Sequence, residues 1–269
     1  MGKYENDLNT VNRIYSKVLA GTALSSSDRV DLLNVVNNGI AFHKSGKIED
    51  LFSVDSSASG CEFCSRMRKC AENNLLFICR GCYDFAQEQY KINAKNRHAL
   101  TAQILSTFEF TIDEMRMLGL FGLVRFNSSG DVVNAIHARN YVRMAYAHPE
   151  TRFTLWAKNV QAVNIAFDDL GKPANMIFIQ SSPLIGFPAK RSRYADYTFT
   201  VYPDKETTEK AIAGGCMPCN GRKCKECGFA CYKGSWAPGS DIAELLRCSK
   251  TEREKILQAY NERVMRSRG

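Results

Sequence analysis

Residues 122–157, GLVRFNSSGDVVNAIHARNYVRMAYAHPETRFTLWA, contain the pattern from which the fold class follows. A short apolar strand pattern at 122–126 runs into a polar turn, NSSGD (127–131), and then into a helix pattern at 132–147. A second strand pattern, RFTLWA, follows at 152–157. A strand, a helix and another strand in this order predict a βαβ unit and therefore a parallel sheet.

The same alternation continues towards the C-terminus. Helix patterns at 160–170 and 205–213 alternate with the strand patterns NMIFIQ (175–180) and YTFTVY (197–202). Roughly four strands are too few for a closed eight-stranded barrel. The sequence therefore predicts an α/β fold, built as an open parallel sheet or a partial TIM-barrel-like sheet with flanking helices and right-handed crossovers.

Three segments are predicted along the chain. Residues 1–60 are expected to form an N-terminal helical segment, whose second helix begins after a cap at Ser25 and which ends in the polar linker SVDSSASG (53–60). Residues 61–234 are expected to form the α/β core, with a cysteine-rich segment at each end. Residues 235–269 are expected to form C-terminal helices.

Ten of the eleven cysteines fall into two short windows. These windows are polar and rich in Gly and Lys, and they lack the apolar periodicity that would bury the cysteines as core residues. Cys-x-x-Cys occurs four times, and this gap lets two sulfurs face one centre. The predicted metal ligands are Cys61, Cys64, Cys70, Cys79 and Cys82 in the first group, and Cys216, Cys219, Cys224, Cys227 and Cys231 in the second. Cys248 stands apart and is expected to be a buried apolar residue.

Disulfides are a poorer explanation for these windows. The chain has 269 residues, 45% of them hydrophobic, and so can bury a core without covalent staples. It shows no signal peptide and no apolar run of eighteen residues, which predicts a cytoplasmic protein that does not span a membrane. Thiols are kept reduced in that compartment. The two groups are therefore predicted to be metal-binding segments.

The spacing of the cysteines leaves two kinds of metal open. The first group contains C-x2-C-x14-C-x2-C between residues 61 and 82, which is close to the spacing of a structural zinc site. The second contains C-x4-C-x2-C-x3-C between residues 219 and 231, and four close thiols in one loop can wrap a compact cluster as ferredoxin segments do. Four thiolates suit zinc and iron–sulfur clusters alike.

The turn at 127–131 is a candidate ligand site beside the cysteines. Ligands of parallel sheets sit beyond the carboxyl ends of the strands, and backbone N–H groups at a helix N-terminus can bind an anion. An ordinary helix cap, with Asp131 in the first turn, is the alternative. Arg125 and Lys158 are expected either to reach the same pocket or to line the surface. The candidate cofactor-binding residues are Ser128, Ser129, Gly130 and Asp131.

Three stretches carry a family resemblance when they are taken in order. They are CRGCYD (79–84), then VRFNSSGDV (124–132) followed by PETRFTLWAKN (149–159), and finally GRKCKECGFACYKG (221–234). Together they resemble the gene product 88 family of bacteriophage proteins over about two-thirds of the chain. The resemblance implies a phage or prophage protein that works in the cytoplasm of a bacterial host.

A cysteine-rich turn ahead of βα units is also similar to the layout of radical S-adenosylmethionine enzymes. That likeness implies a [4Fe–4S] cluster in a partial TIM barrel, auxiliary clusters near the C-terminus and S-adenosylmethionine as a cofactor. The sequence departs from those enzymes because it lacks a C-x3-C-x2-C triad, and the spacing Cys70-x8-Cys79-x2-Cys82 is too long in its first gap. The departure counts against a radical mechanism and leaves cluster binding untouched.

Three hypotheses on function follow. The leading one is an iron–sulfur protein with one or two [4Fe–4S] clusters. The second is a zinc-stabilised binding module that contacts nucleic acid or a host protein, since a net charge of +8 attracts anions. The third is an enzyme that uses the cluster and the cleft for redox or radical chemistry. The sequence leaves open whether the protein is an enzyme, and it does not reveal the oligomeric state.

Overall fold

A computed structural model describes residues 3–219 and 223–267. The first two residues of the GRKCKECGFACYKG stretch, Gly221 and Arg222, lie outside the described residues. The strands are β1 (Ala41–His43), β2 (Leu51–Val54), β3 (Leu123–Phe126), β4 (Arg152–Ala157), β5 (Met176–Ser181), β6 (Tyr197–Tyr202), β7 (Met217–Cys219) and β8 (Asp241–Leu245). They form one sheet in the order β1-β2-β3-β4-β5-β6-β8-β7.

The helices flank this sheet. They are α1 (Lys3–Leu19), α2 (Ser26–Gly39), α3 (Glu62–Ala71), α4 (Tyr83–Glu88), α5 (Ile92–Thr107), α6 (Ile112–Met115), α7 (Ala135–Ala147), α8 (Val160–Leu170), α9 (Lys205–Ala213), α10 (Ala230–Lys233) and α11 (Lys250–Arg266), with a 3-10 turn at Ile78–Gly81. Within the described ranges, none of them combines the length and the apolar character that crossing a bilayer requires.

The predicted α/β fold with a mainly parallel sheet and flanking helices is confirmed. β1 and β2 pair antiparallel, and the other pairings between named strands are parallel. In the part of the chain that the structure describes, the pairings run from β1 at one edge to β7 at the other and close no barrel.

The sequence prediction counted four strands where the sheet has eight. β2 and β8 come from segments predicted to be linker or helix, yet both pair inside this sheet. The sequence of β8, DIAEL, contains Ala, Glu and Leu, which favour helix. Parallel partners on both sides override that preference, because strand formation depends on neighbours more than on intrinsic propensity.

Local capping signals were more reliable than helix lengths. The cap at Ser25 is confirmed, and a full capping box is formed with Asp28. The residues T-x-x-E at 111–114 predict a second capping box, and Thr111 and Glu114 form it at the start of α6. The sequence from residue 83 to 105 predicts a single helix, but the structure divides it into α4 and α5, with residues 89–91 between them.

The two faces of the sheet differ in chemistry. Side chains alternate along a strand, so Val124 and Phe126 of β3 face one side while Arg125 faces the other. The first side packs against helices in the main hydrophobic core, which includes Phe126, Phe153 and Phe178. The opposite side carries Arg125, Trp156 and Phe199, and all three line a cavity. This second face positions the candidate site.

Contacts from the turn between β1 and β2 reach across that second face. Lys47 donates from Nζ to Glu244 Oε1 of β8 at 2.6 Å. The backbone N–H of Cys224 donates to the carbonyl oxygen of Lys47 at 2.6 Å. These contacts link strands near the two opposite edges of the sheet. They also hold the second cysteine segment over the second face.

Candidate metal and ligand site

The first cysteine group gathers around α3 and α4. Cys61 is the N-cap of α3, and its sulfur accepts from the backbone N–H of Cys64 at 3.5 Å. Cys79 lies in the 3-10 turn and Cys82 caps α4. Cys64, Cys79 and Cys82 line one small cavity. Four of the five predicted ligands are therefore neighbours, whereas Cys70 is exposed and does not line this cavity.

The second cysteine group lines a larger cavity against the sheet. Cys219 ends β7, and Cys224, Cys227 and Cys231 follow in the segment that leads through α10. The Cys227 thiol donates to the carbonyl oxygen of Cys224 at 3.2 Å. Cys216 is the exception, because it is hydrogen-bonded to the Tyr202 side chain and does not line the cavity.

The two cavities adjoin each other. Asp84, Gly130, Asp131 and Lys158 line both of them. Lys158 is half-buried between the groups. Burial alone would lower its pKa, but Asp131 and nearby thiols raise the pKa above its ordinary value. Residues that the sequence separates by more than 130 positions thus meet at one place in the fold.

The thiols are not arranged as a formed metal site. All eleven cysteines are free. Among residues 3–219 and 223–267, no three Cys, His, Asp or Glu side chains converge closely enough to hold a metal ion. The sulfurs line common cavities but do not point at a common centre. Metal binding at these ten positions stays a prediction.

Burial keeps most of these thiols protonated. It raises the pKa of Cys79 and Cys82, although Lys158 acts against the shift. It also raises the pKa of Cys224, where Arg125 opposes it, and the pKa of Cys231 to about 12. A metal binds the thiolate form, so loading these sites would release protons.

Comparison with known protein families gives one match. The family model described as gene product 88 matches residues 32–230. The chain belongs to the gene product 88 family. No curated protein and no solved structure matches. A likeness to radical S-adenosylmethionine enzymes is not shown by these comparisons. The matched region of the gene product 88 family runs from α2 to the start of α10, and Cys231 lies one residue beyond it.

In this gene product 88 family member, the turn after β3 holds an internal carboxylate instead of an external anion. The backbone N–H groups of Ser128 and Ser129 donate to Asp55 Oδ1 at 2.6 and 3.1 Å. Ser128 Oγ donates to the same oxygen. Two of the donors predicted to bind an anion are thus paired with Asp55, and ligand binding by Ser128, Ser129, Gly130 and Asp131 stays a prediction. Ser128 still lines the larger cavity, while Ser129 does not.

Asp131 does not act as a first-turn residue of a helix. The N-cap of α7 is Asn134, three residues later. The carboxylate of Asp131 is buried and accepts from the backbone N–H groups of Lys158 at 2.9 Å and Asn159 at 3.3 Å. It ties the turn after β3 to the end of β4, and the alternative with Asp131 in the first turn of a helix is wrong.

Arg125 and Lys158 do reach a common cavity, which settles the alternative left open by the sequence. Ser181, at the end of β5, lines the same cavity, whereas Ser182 is used locally and donates to the Phe187 carbonyl oxygen at 2.6 Å. Sequence reasoning missed Trp156 and Tyr232. Strand alternation places Trp156 on the same face as the cavity, and that signal was present in RFTLWA.

Proposed function

We propose that this protein binds iron–sulfur clusters through two thiol quartets that face adjoining cavities, and that these clusters serve redox chemistry. The observation that carries the proposal is the grouping of seven of the ten predicted cysteines around two cavities that share Asp131 and Lys158, with Cys61 hydrogen-bonded to Cys64 beside them. The two quartets are Cys61, Cys64, Cys79 and Cys82, and Cys219, Cys224, Cys227 and Cys231.

The thiol quartets fit a cluster by their donor chemistry. Four thiolates are the usual ligands of a [4Fe–4S] cluster. Each quartet mixes buried and partly exposed sulfurs, and the sulfurs would have to turn about their side-chain bonds to meet at one centre. Lys158 beside the first quartet and Arg125 beside Cys224 supply positive charge that offsets the thiolates.

The large cavity favours clusters over structural zinc. Structural zinc sites are closed tetrahedra with no open position. Here Cys219, Cys224, Cys227 and Cys231 line a cavity of about 680 Å³. A redox centre needs access to its partner or substrate, and an open cavity at the thiols supports that use.

The partial-barrel form of the fold is part of the same proposal. One face of the sheet packs against helices and the other lines the cavity, as the outer and inner faces of a barrel wall do. The Lys47–Glu244 ion pair at 2.6 Å supports curvature, because it spans from the β1–β2 turn to β8. Because the sequence lacks the C-x3-C-x2-C triad, S-adenosylmethionine is not part of this proposal.

The proposed setting is the cytoplasm of a phage-infected bacterium. The family is one of phage gene products, and buried thiols without disulfides suit a reducing compartment. The competing function, a zinc-stabilised module for nucleic acid or a host protein, draws its support from the net charge of +8.

Metal analysis separates these two functions. Protein purified without air is expected to be brown, to absorb near about 400 nm and to contain about four irons and four sulfides per cluster. Colourless protein with stoichiometric zinc would reject the cluster. In that case, nucleic-acid binding that weakens steeply with salt would establish the zinc-stabilised module.

A further inference from the structure

The larger cavity has the size and walls of a small-molecule site. Its volume of about 680 Å³ lies within the usual range of roughly 300–1,000 Å³ for ligand pockets. Trp156 and Phe199 of the sheet line it, and so do Tyr232 and Trp236 of the covering segment. The chain contains two tryptophans, and both are here. Such walls suit a flat apolar or aromatic group.

Arg125 places a half-buried positive charge in this aromatic setting. Its Nη1 donates to the hydroxyl of Tyr232 at 3.2 Å, and its guanidinium carbon lies 4.6 Å from the centre of the Trp156 ring. Its Nε is buried and has no acceptor. Within the described ranges, no carboxylate forms an ion pair with Arg125. A partly desolvated cation without an anionic partner is costly.

The nearby carboxylates do not pair with Arg125. Asp84 lines the same cavity and the charge of Arg125 acts on its pKa, but within the described ranges the two form no ion pair. Glu244 pairs with Lys47 at 2.6 Å, and Arg247 lies 3.6 Å from the same carboxylate. Asp131 accepts backbone hydrogen bonds and faces Lys158. Asp55 accepts from the turn after β3. The walls therefore leave the charge of Arg125 without a carboxylate in hydrogen-bonding contact.

A second donor beside Arg125 is also unused. The indole Nε1 of Trp156 is buried and has no acceptor. Trp156 and Arg125 lie on neighbouring strands, β4 and β3, and both line the cavity. Arg125 and Trp156 thus bring two unpaired donors to the lining of one cavity, which favours a ligand with more than one acceptor oxygen.

We infer that this cavity binds a small organic anion with a planar ring, whose oxyanion group pairs with Arg125 and Trp156 and whose ring lies among the aromatic walls. This site requires no metal, but it shares its cavity with Cys219, Cys224, Cys227 and Cys231 of the second proposed quartet. The thiol of Cys224 also lies near Arg125. The test must therefore separate an arginine that binds a ligand from one that only balances thiolates.

Two dyes of the same ring system test the inference. 8-Anilinonaphthalene-1-sulfonate carries one sulfonate, and N-phenyl-1-naphthylamine lacks it. Equilibrium dialysis of the anaerobically purified protein measures the affinity of each dye, and metal content is measured on every sample. We expect one equivalent of the anionic dye to bind about tenfold or more tightly than the neutral dye.

Variants of Arg125 and Trp156 test whether the preference for the anionic dye arises in this cavity. Arg125→Met is expected to weaken binding of the anionic dye about tenfold and to leave the neutral dye unchanged, while Arg125→Lys keeps much of the preference. Trp156→Phe keeps a ring, removes the unpaired donor and is expected to weaken the anion several-fold. Arg116→Met is the control, because Arg116 is an exposed arginine paired with Asp113.

Three results would overturn the inference. One is equal affinity of the wild-type protein for both dyes. Another is unchanged anion binding in folded Arg125→Met and Trp156→Phe. The third is loss of metal from Arg125→Met with no change in affinity for the anionic dye, which would make Arg125 a counter-charge for the thiols alone. Wild-type protein without metal that still prefers the anion would reject the clusters and support this site.

Discussion

The backbone N–H of Lys158 donates to Asp131 Oδ2 at 2.9 Å, and both residues line the two cavities that hold the cysteine groups. The same carboxylate accepts from the N–H groups of Val132 and Asn159. The boundary between the cysteine groups is thus formed by the carboxyl ends of β3 and β4. The rigid sheet, more than the cysteine segments, sets where the two groups meet.

Gly130 sits on this boundary in a conformation that an L side chain rarely adopts. Its φ is +72°, and an added Cβ would collide with the backbone oxygen of Ser56. Gly130→Ala is expected to lower the free energy of unfolding by several kcal/mol, about 3 or more, because backbone atoms cannot yield as a flexible side chain would. Urea unfolding followed by circular dichroism measures the change.

Gly122→Ala is the matched control. Gly122 has nearly the same φ, +69°, but an added Cβ would meet nothing within 4 Å. This variant should show only the cost of the left-handed backbone, about 1–2 kcal/mol. Equal losses in the two variants would contradict the close approach of Gly130 to Ser56.

An ion pair between α2 and α6 predicts a dependence of stability on pH. The Arg29 guanidinium donates to both carboxylate oxygens of Glu114 and holds its pKa at about 2, below the usual 4.5. A carboxyl group whose pKa is lowered in the folded state stabilises the fold above pH 4.5. It loses that contribution as the pH falls towards 2. Glu114→Gln should cost about 1 kcal/mol at pH 7 and much less at pH 2.5.

Glutamine still accepts at this capping-box position, so the substitution isolates the charge. Asp113→Asn is the control, since Asp113 pairs with Arg116 in full solvent. Chemical unfolding at pH 7 and pH 2.5 compares the variants with the wild-type protein. A difference for Glu114→Gln that does not shrink in acid would show that the Arg29 pair is not its source.

His137 predicts a second dependence of stability on pH, which comes from a group that becomes positively charged when it is protonated. The side chain is completely buried, which lowers its pKa to about 3. Its Nδ1 accepts from the backbone N–H of Val133 at 3.3 Å. The unfolded chain binds a proton below about pH 6.5 and the folded chain does not, so stability is lost as the pH falls through this window.

His137→Asn keeps an acceptor for Val133 and removes the titration. The stability of the wild-type protein relative to this variant should fall by about 1.4 kcal/mol per pH unit between pH 6 and pH 4. The comparison uses urea unfolding at half-unit steps. A relative stability that stays constant over this range would mean that the imidazole is protonated in the fold.

The sequence predicted the elements that are local and periodic. The strands around 122–126 and 152–157 alternate cleanly, and their βα units form as expected. The sequence did not predict β8 and β2, because such short strands are stabilised only by pairing with segments that are distant in the sequence. β8, for example, lies between β6 and β7. The helix-forming composition of β8 gave the wrong local preference.

The cysteine groups show the same limit. Spacing alone identified the two groups, but only the fold separates Cys70 and Cys216 from the other eight. Two N–H groups of the anion site predicted after β3 donate to Asp55, which lies 73 residues before Ser128. A non-local carboxylate of this kind leaves no mark on the local sequence of the turn.

Metal stoichiometry in cysteine variants tests the central claim most directly. Iron, zinc and sulfide are measured in anaerobically purified wild-type protein and in four single variants. Cys82→Ser and Cys227→Ser each remove a quartet member, and each should lose the metal of one group while keeping that of the other. Cys70→Ser and Cys216→Ser remove cysteines outside the quartets and should keep the full content. Metal-free wild-type protein, or equal loss in all four variants, would contradict the account.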